Sequence, residues 1–336
     1  MPHSPVEVGF DRTIVPAVCF RRAAVGYIRN GADHMIASCI HVALLLIMPP
    51  LLLGIINKTK SCFAGRIGPP VFQVYYDLAK LMRKSMVLSR TTTWVFFAGP
   101  AVTLEAVVLA GLLIPIGRLD APITFTGDLI LFAYLFGLAR FFTTAAALDT
   151  GSAFEGMGAA REATFACLSE PALFFALLVL VKISGSLTLT GILHGPAGGF
   201  PATAIAPLVF IAIGLFVVLL AETCRIPVDD PNTHLELTMI HEVMVLDHSG
   251  PLLGVVLYAA SLKLFVLGAV LLQVILPVQT VAPWTNWAMF ILEMAGLAVA
   301  IGVVESVMAR LQMRHVPYLL VAATLLCGFG FILVVR

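Results

Sequence analysis

The chain has 336 residues, of which 60% are hydrophobic and only 12% charged, with 20 Lys and Arg against 19 Asp and Glu for a net charge of +1. Soluble globular domains carry about a quarter charged residues, so this composition, with its mean hydropathy of +1.01, excludes one and identifies a polytopic membrane protein embedded in a lipid bilayer. Near-zero net charge gives no field for nucleic acid, and Cys19, Cys39, Cys62, Cys167, Cys224 and Cys327 form no CxxC pair. Neither a zinc site nor a cysteine-ligated iron-sulfur cluster is encoded, so any redox centre belongs to a partner.

Residues 1–35 read as a polar tail, with Arg12, Arg21, Arg22 and Arg29 beside Glu7, Asp11 and Asp33. No secretory apolar segment with a small-residue cleavage site is visible. A misassigned start, with translation beginning at Met35, would account for the tail. A spanning helix needs about 20 apolar residues, and eight runs qualify: 36–56, 94–115, 127–148, 165–185, 204–223, 251–276, 286–306 and 315–335. The expectation is an all-α protein whose single transmembrane domain covers 36–336. Pro49, Pro50, Pro115 and Pro207 fall within or at the ends of runs, where neighbouring helices can re-satisfy freed backbone groups. No internal repeat supports an inverted-repeat transporter.

Between the first two runs, residues 68–88 place Val71, Val74, Tyr75, Leu78, Leu81 and Met82 at helical spacing, with Asp77, Lys80, Arg83 and Lys84 on the other side. This predicts an amphipathic helix at about 69–84 lying in the membrane interface. It either anchors the bundle at the headgroups or faces a ligand; Trp94 fits an interfacial anchor.

Basic residues then set the orientation. The first loop carries Lys58, Lys60, Arg66, Lys80, Arg83, Lys84 and Arg90, the third Arg161, the fifth Arg225 and the seventh Arg310 and Arg314, whereas the second, fourth and sixth hold only Arg118. By the positive-inside rule the odd loops are cytoplasmic and both termini lie on the outer side of the cytoplasmic membrane. The tail arginines run against this rule.

Charges within spans are expensive, about 2.5 to 3.5 kcal/mol at a helix centre on insertion scales. Glu105, Arg140, Lys263 and Glu293 fall well inside predicted spans, and Lys182 and Glu305 nearer the ends. Snorkelling accounts for Lys182. Lys263 is too central for that and is expected to be neutral or paired with a glutamate. Glu105, Arg140 and Glu293 are candidates for an ion path, with interhelical salt bridges as the plainer reading. The third loop, 149–171, carries Asp149, Glu155, Arg161, Glu162 and Glu170 among glycine and alanine. It reads as an unwound end leading into the next helix, with Ser169 as cap and Pro171 in the first turn; solvation suffices for Glu162.

The fifth loop, 222–250, holds Glu222, Arg225, Asp229, Asp230, Glu236, Glu242 and Asp247 with His234, His241 and His248. A zinc-protease HExxH needs histidines four apart, and Val245 stands where the second would be. Pro227 and Pro231 interrupt any helix that would align the three histidines, and the oxygen spacing of an EF-hand is missing. No metal site is expected. The expectation is instead a short helix over roughly 233–245, capped by Thr233 and Glu236. Clustered carboxylates raise one another's pKa and can exchange protons near neutrality; a solvated docking surface is the compatible plainer reading.

The stretches "AETCRIPVDDPNTHLELTMIHEVMVLDHSGP" (221–251) and "GPPVFQVYYDLAKLMRK" (68–84), with the glycine-rich third loop, resemble the membrane-anchor subunit family shared by complex I and the group 4 nickel-iron hydrogenases. Within it the chain is most similar to the formate hydrogenlyase subunit 4, or component C, type. In complex I the acidic loop reads more like A-E-x-x-R-x-P-F-D-x-P-E. Val228 and Asp229-Asp230 stand here in place of the Phe-Asp pair, which favours the hydrogenase branch over quinone binding.

The resemblance implies an eight-helix coupling subunit without catalytic residues or cofactors of its own. Hydrogenase-like large and small subunits, carrying iron-sulfur clusters and a nickel-iron centre, would dock on its cytoplasmic face, beside antiporter-like membrane subunits. By position it assigns coupling to Glu222, Arg225, Asp229, Asp230, Glu236 and Glu242, with Glu155, Arg161 and Glu170 in the third loop. Asp77, Lys80 and Tyr75 lie on the interfacial helix, the path of a quinone in the alternative of a quinone-reducing complex I subunit. A stand-alone ion-coupled transporter is the alternative of another class.

Overall fold

A computed structural model describes residues 17–117, 120–195, 202–229, 239–276 and 283–335, and side chains over 35–117, 120–195, 203–229, 239–276 and 285–335. The chain divides into two compact units, residues 1–40 and 41–336. Of the first, residues 17–40 are helical backbone; the second forms the bundle.

The helices are α1 (Ala17–Phe63), α2 (Gln73–Met82), α3 (Trp94–Leu113), α4 (Asp128–Asp149), α5 (Ala153–Ser184), α6 (Leu189–His194), α7 (Ile205–Glu222), α8 (His241–Met244), α9 (Gly250–Ile275), α10 (Pro283–Val307) and α11 (Val316–Val335). Eight stretches of these, among the described residues, are long and apolar enough to cross a membrane. The reason is elementary: hydrocarbon offers no hydrogen bonds, so an apolar run must satisfy its own backbone, which a helix does. The chain is an all-α multi-pass membrane protein, and its spans match the eight apolar runs closely.

Two expectations need correction. The third loop is not unwound: α5 runs for 32 residues from Ala153 straight through Pro171, and Ser169 sits mid-helix. The stretch "AFEGMGAAREAT" is rich in helix formers, and its glycines make room. A Cβ on Gly158 would come within 3.0 to 3.2 Å of Met244, Val243 and the Ile240 carbonyl, so the missing side chain lets this face of α5 lie close to the fifth loop. The fifth-loop helix is also shorter than expected, α8 covering only four residues; 230–238 lie outside the described residues. Within the expected polar tail, residues 17–34 are helical backbone.

The bundle is arranged around α9, whose most apolar window is 72% buried against 22% to 44% for the other spans. On it pack α3, α7 and α10, while α3 lies along α4 and α5 along α11 and α7. The amphipathic α2 follows the expected interfacial pattern, with no fully buried residue. It is nonetheless fixed: the Tyr75 hydroxyl donates to the Ile47 carbonyl on α1, and Leu81 and Met82 reach the first turns of α9 at Gly254. Just before α2, Gly54 of α1 touches the Val71 carbonyl so closely that any Cβ would collide with backbone.

Candidate functional site

Glu222, the last residue of α7, gathers side chains from three other helices. Its Oε1 accepts hydrogen bonds from Arg140 Nη2 of α4 at 2.6 Å and from Ser169 Oγ of α5 at 2.8 Å. Its Oε2 lies 2.7 Å from Lys263 Nζ of α9. Arg140 in turn donates to Glu170 and holds Glu162 at 3.5 Å from Nε. The side chains of Arg140 and Glu222 are each 9% exposed, whereas Glu170 is 44% exposed. Desolvating isolated ions in such a place costs several kcal/mol each, so their mutual pairing is what makes this arrangement tolerable.

The charges do not cancel. Two cations, Arg140 and Lys263, face three carboxylates, Glu162, Glu170 and Glu222. The ionised cluster therefore carries one negative charge and can accept a proton without becoming cationic.

Two cavities adjoin the cluster, and Arg140 and Glu222 line both. One, of about 60 Å³, is bounded by Thr143, Glu162, His241, His248 and Lys263 and by apolar Gly99, Pro100, Val107 and Val256. The other, of about 160 Å³, is bounded by Tyr134, Ser169, Glu170 and Phe174. One water needs about 10 to 15 Å³ measured this way, and small-molecule sites start at about 300 Å³. Both cavities have room for waters and are too small for an extended organic ligand.

The geometry of α9 bears on the burial of the described parts of the fifth loop. Lys263 lies thirteen residues beyond Gly250, about 20 Å along the helix at 1.5 Å per residue. It meets the very end of α7, and the described parts of the connection between the two helices, 223–229 and 239–249, are mostly buried or half-buried. The loop starts with a Schellman turn, Arg225 N donating to the Leu220 carbonyl at 2.8 Å and Cys224 N to that of Ala221 at 3.1 Å. Cys224 takes the left-handed position, φ 51°, where glycine is usual. Burial pushes its thiol well above the ordinary range, and Glu162 and Asp229 add to the effect.

This turn aims Arg225 at Glu305 of α10, which it meets at 3.2 Å; Lys60 of α1 meets the same carboxylate at 2.8 Å. Further on, buried Asp229 accepts from Arg310 Nη2 at 2.9 Å and from Ile240 N at 2.9 Å. Arg161 of α5 donates to the Met239 carbonyl at 2.9 Å, and buried Glu155 accepts from Asp247 N at 2.9 Å. His248 stacks on Phe96 of α3 with ring centroids 4.1 Å apart, and burial lowers its pKa to about 4.

Of the sequence candidates, Glu222, Arg140, Lys263 and Glu170 thus meet in one cluster, while Arg225, Asp229, Arg161 and Glu155 tie down the loop. Glu242 is half-buried on α8 and joins none of these networks among the described residues. Glu293 is half-buried on α10 with one carboxylate oxygen lacking a partner. Glu105 is exposed on α3, and Asp77 and Lys80 are exposed on α2, where Asp77 accepts from Gln73 at 3.0 Å. Asp230 and Glu236 lie outside the described residues. Sequence reasoning missed the roles of Glu162, Ser169, Lys60, Glu305 and Arg310. Glu162 and Ser169 follow from reading α5 as continuous, since 162, 166, 169, 170 and 173 share a helical face. Nothing local marks Glu305 as the partner of Arg225.

The family model for NADH dehydrogenase matches residues 35–336. Formate hydrogenlyase subunit 4 of Escherichia coli (strain K12) is 30% identical over 298 residues, covering 87% of this chain and 94% of that protein. Hydrogenase-4 component C of the same organism is 29% identical over 296 residues, covering 85% and 92%. An NADH-quinone oxidoreductase subunit of Rubrobacter xylanophilus is 30% identical over 175 residues, 52% of this chain and 53% of that protein. In fold, the chain is similar to one in the structure of the membrane-bound sulfane sulfur reductase, an archaeal respiratory membrane complex, with TM-score 0.77 over 90% of this chain and 99% of that one at 19% identity.

Proposed function

The chain belongs to the NADH dehydrogenase family, and on that premise we propose that it is the membrane-embedded coupling and docking subunit of a group 4 nickel-iron hydrogenase or formate hydrogenlyase complex. The near full-length similarity to formate hydrogenlyase subunit 4 and hydrogenase-4 component C supports this branch. Hydrogenase-like large and small subunits on the cytoplasmic face carry the iron-sulfur and nickel-iron chemistry, and antiporter-like subunits lie beside the chain in the inner membrane. The basic odd-numbered loops support an orientation with both termini on the outer side.

The observation that carries the reading is the shared carboxylate of Glu222. One oxygen serves Arg140 and Ser169, the other Lys263. A proton taken up by the surplus carboxylate, Glu162 or Glu170, leaves Arg140 to bind Glu222 more closely, and that loosens the hold of Glu222 on Lys263 beside the adjoining cavity. Movement of one proton thereby becomes movement of two cationic side chains on different helices. Conversely, a redox event in a docked partner that displaces the fifth loop moves Thr223 to Arg225, contiguous with Glu222, and so alters the cluster. Proton transfer then proceeds through waters in the two cavities.

Affinity purification of the tagged chain from its native membrane, followed by mass spectrometry, tests the assignment. A nickel-iron large subunit among its companions supports it. NADH-dehydrogenase companions would move it to the complex I branch, and a chain recovered alone with ion-transport activity would make it a transporter.

A further inference from the structure

Glu105 stands eleven residues into α3 and eight before its end. At 1.5 Å per residue it is about 16 Å from Trp94 and about 12 Å from Leu113, near the middle of a hydrocarbon layer about 30 Å thick. Its side chain is exposed. It makes no hydrogen bond or ion pair among the described residues, unlike Arg140, Glu222 and Lys263, which are all paired. A glutamate is too short to reach either interface from there, as a lysine near a helix end does. Protonation would remove the charge and still leave a hydroxyl and a carbonyl facing hydrocarbon.

The surroundings of Glu105 on α3 form a continuous face. Phe97, Ala101, Glu105 and Leu109 follow at intervals of four, and all are exposed. Ala101, one turn from Glu105, lets a neighbouring backbone come close, as small residues do in membrane helix pairs. The exposed stripe on α11, Tyr318, Val321, Leu325, Phe329 and Ile332, has no charge and is suited to lipid.

We propose that this face of α3 is a packing surface for a membrane-spanning helix of a partner subunit, and that this helix presents a lysine or arginine to Glu105. A second copy of the chain fits less well, because a two-fold contact on this face would set Glu105 against Glu105. The inference requires only that α3 crosses a bilayer beside other subunits, and it concerns assembly rather than the coupling role of Glu222.

The test uses the complex purified from native membranes. A photo-reactive Ala101→p-benzoylphenylalanine variant should crosslink to a spanning segment of another subunit that contains a basic residue, while the same substitution at Leu325 should label lipid. Glu105→Lys should lower recovery of that membrane subunit by about tenfold, with Ala101→Leu, which keeps the charge, lowering it as well. Recovery should return when the basic residue of the crosslinked segment is changed to glutamate in the Glu105→Lys background. Crosslinking from position 101 to lipid alone or to a second copy overturns the proposal, as does full recovery of every membrane subunit with Glu105→Lys. Soluble redox subunits that stay bound throughout separate this result from a failure of the docking role.

Discussion

The carboxylate of Glu222 lies 2.7 Å from the ammonium of Lys263, joining the end of α7 to the middle of α9. Because both side chains are largely buried, removing one leaves the other uncompensated, which typically costs about 3 to 5 kcal/mol. Arg140 and Ser169 still hold Glu222 when Lys263 is gone, so we expect Lys263→Met to cost no more than about 3 kcal/mol. Combined with Glu222→Gln the loss should be less than the sum of the two single losses, by about 1 to 3 kcal/mol. Equilibrium unfolding of the four proteins in detergent measures this coupling, and strict additivity would mean that the two groups do not interact.

Glu222→Gln keeps shape and hydrogen-bonding capacity but not the charge. Proton movement in vesicles containing the whole complex should fall severalfold, with the complex still assembled and its soluble partners still active in donor oxidation. Glu222→Asp, which restores the charge on a shorter side chain, should recover part of the activity. Translocation at the wild-type level in the glutamine variant would sink the proposed role.

His248 links stability to pH. Buried against Phe96, it has a pKa of about 4 in the folded chain, below the ordinary value of about 6.5 it regains on unfolding. Between these values the unfolded chain binds more protons, so stability is fully present above about 6.5 and declines as pH falls toward 4. We expect Tm to drop from pH 7 to pH 5. His248→Phe, which keeps the stacking surface without the proton, should flatten that slope; an equal slope in both proteins would assign it to other groups.

Gly54 controls the seat of the interfacial helix. Its α-carbon is in such close contact with the Val71 carbonyl that Gly54→Leu must push the start of α2 away from α1. Overpacking of this kind costs about 1 to 3 kcal/mol. Hydrogen exchange over residues 68–82 should accelerate while the core of α9 stays protected. Unchanged exchange there would show that the contact can relax without moving α2.

Asp229 is 1% exposed and accepts from Arg310. Arg310→Ala should therefore loosen the fifth loop more than Arg314→Ala does. Limited proteolysis between 229 and 248 is the readout. Equal cleavage in the two variants would show that Arg310 does not hold this loop.

Much of this molecule is legible in the sequence because its spans are long runs of mostly apolar residues separated by polar loops. The central position of Lys263 argues against snorkelling and leaves a neutral amine or a glutamate partner, and Glu222 is such a partner. The mistaken reading of 149–171 has a physical cause. Glycine and proline break helices in water, but here Gly158 marks a close approach to the loop and Pro171 is accommodated inside α5. The charges of the fifth loop suggest a solvated rim. What hides them is a pairing between residues about 80 positions apart, Arg225 with Glu305 and Asp229 with Arg310, which no local pattern encodes.

Those two long-range pairs also bear on biogenesis. The loop that follows α7 leaves the ribosome well before α10 and the residues after it, so Arg225 and Asp229 wait without Glu305 and Arg310 while two further spans are made and inserted. During that interval the loop lacks the ionic ties that fix it in the finished bundle. Completion of α10 and of the residues just after it is thus the event that supplies both ties, which makes the locking of the fifth loop a signal that the chain has been made as far as its last span.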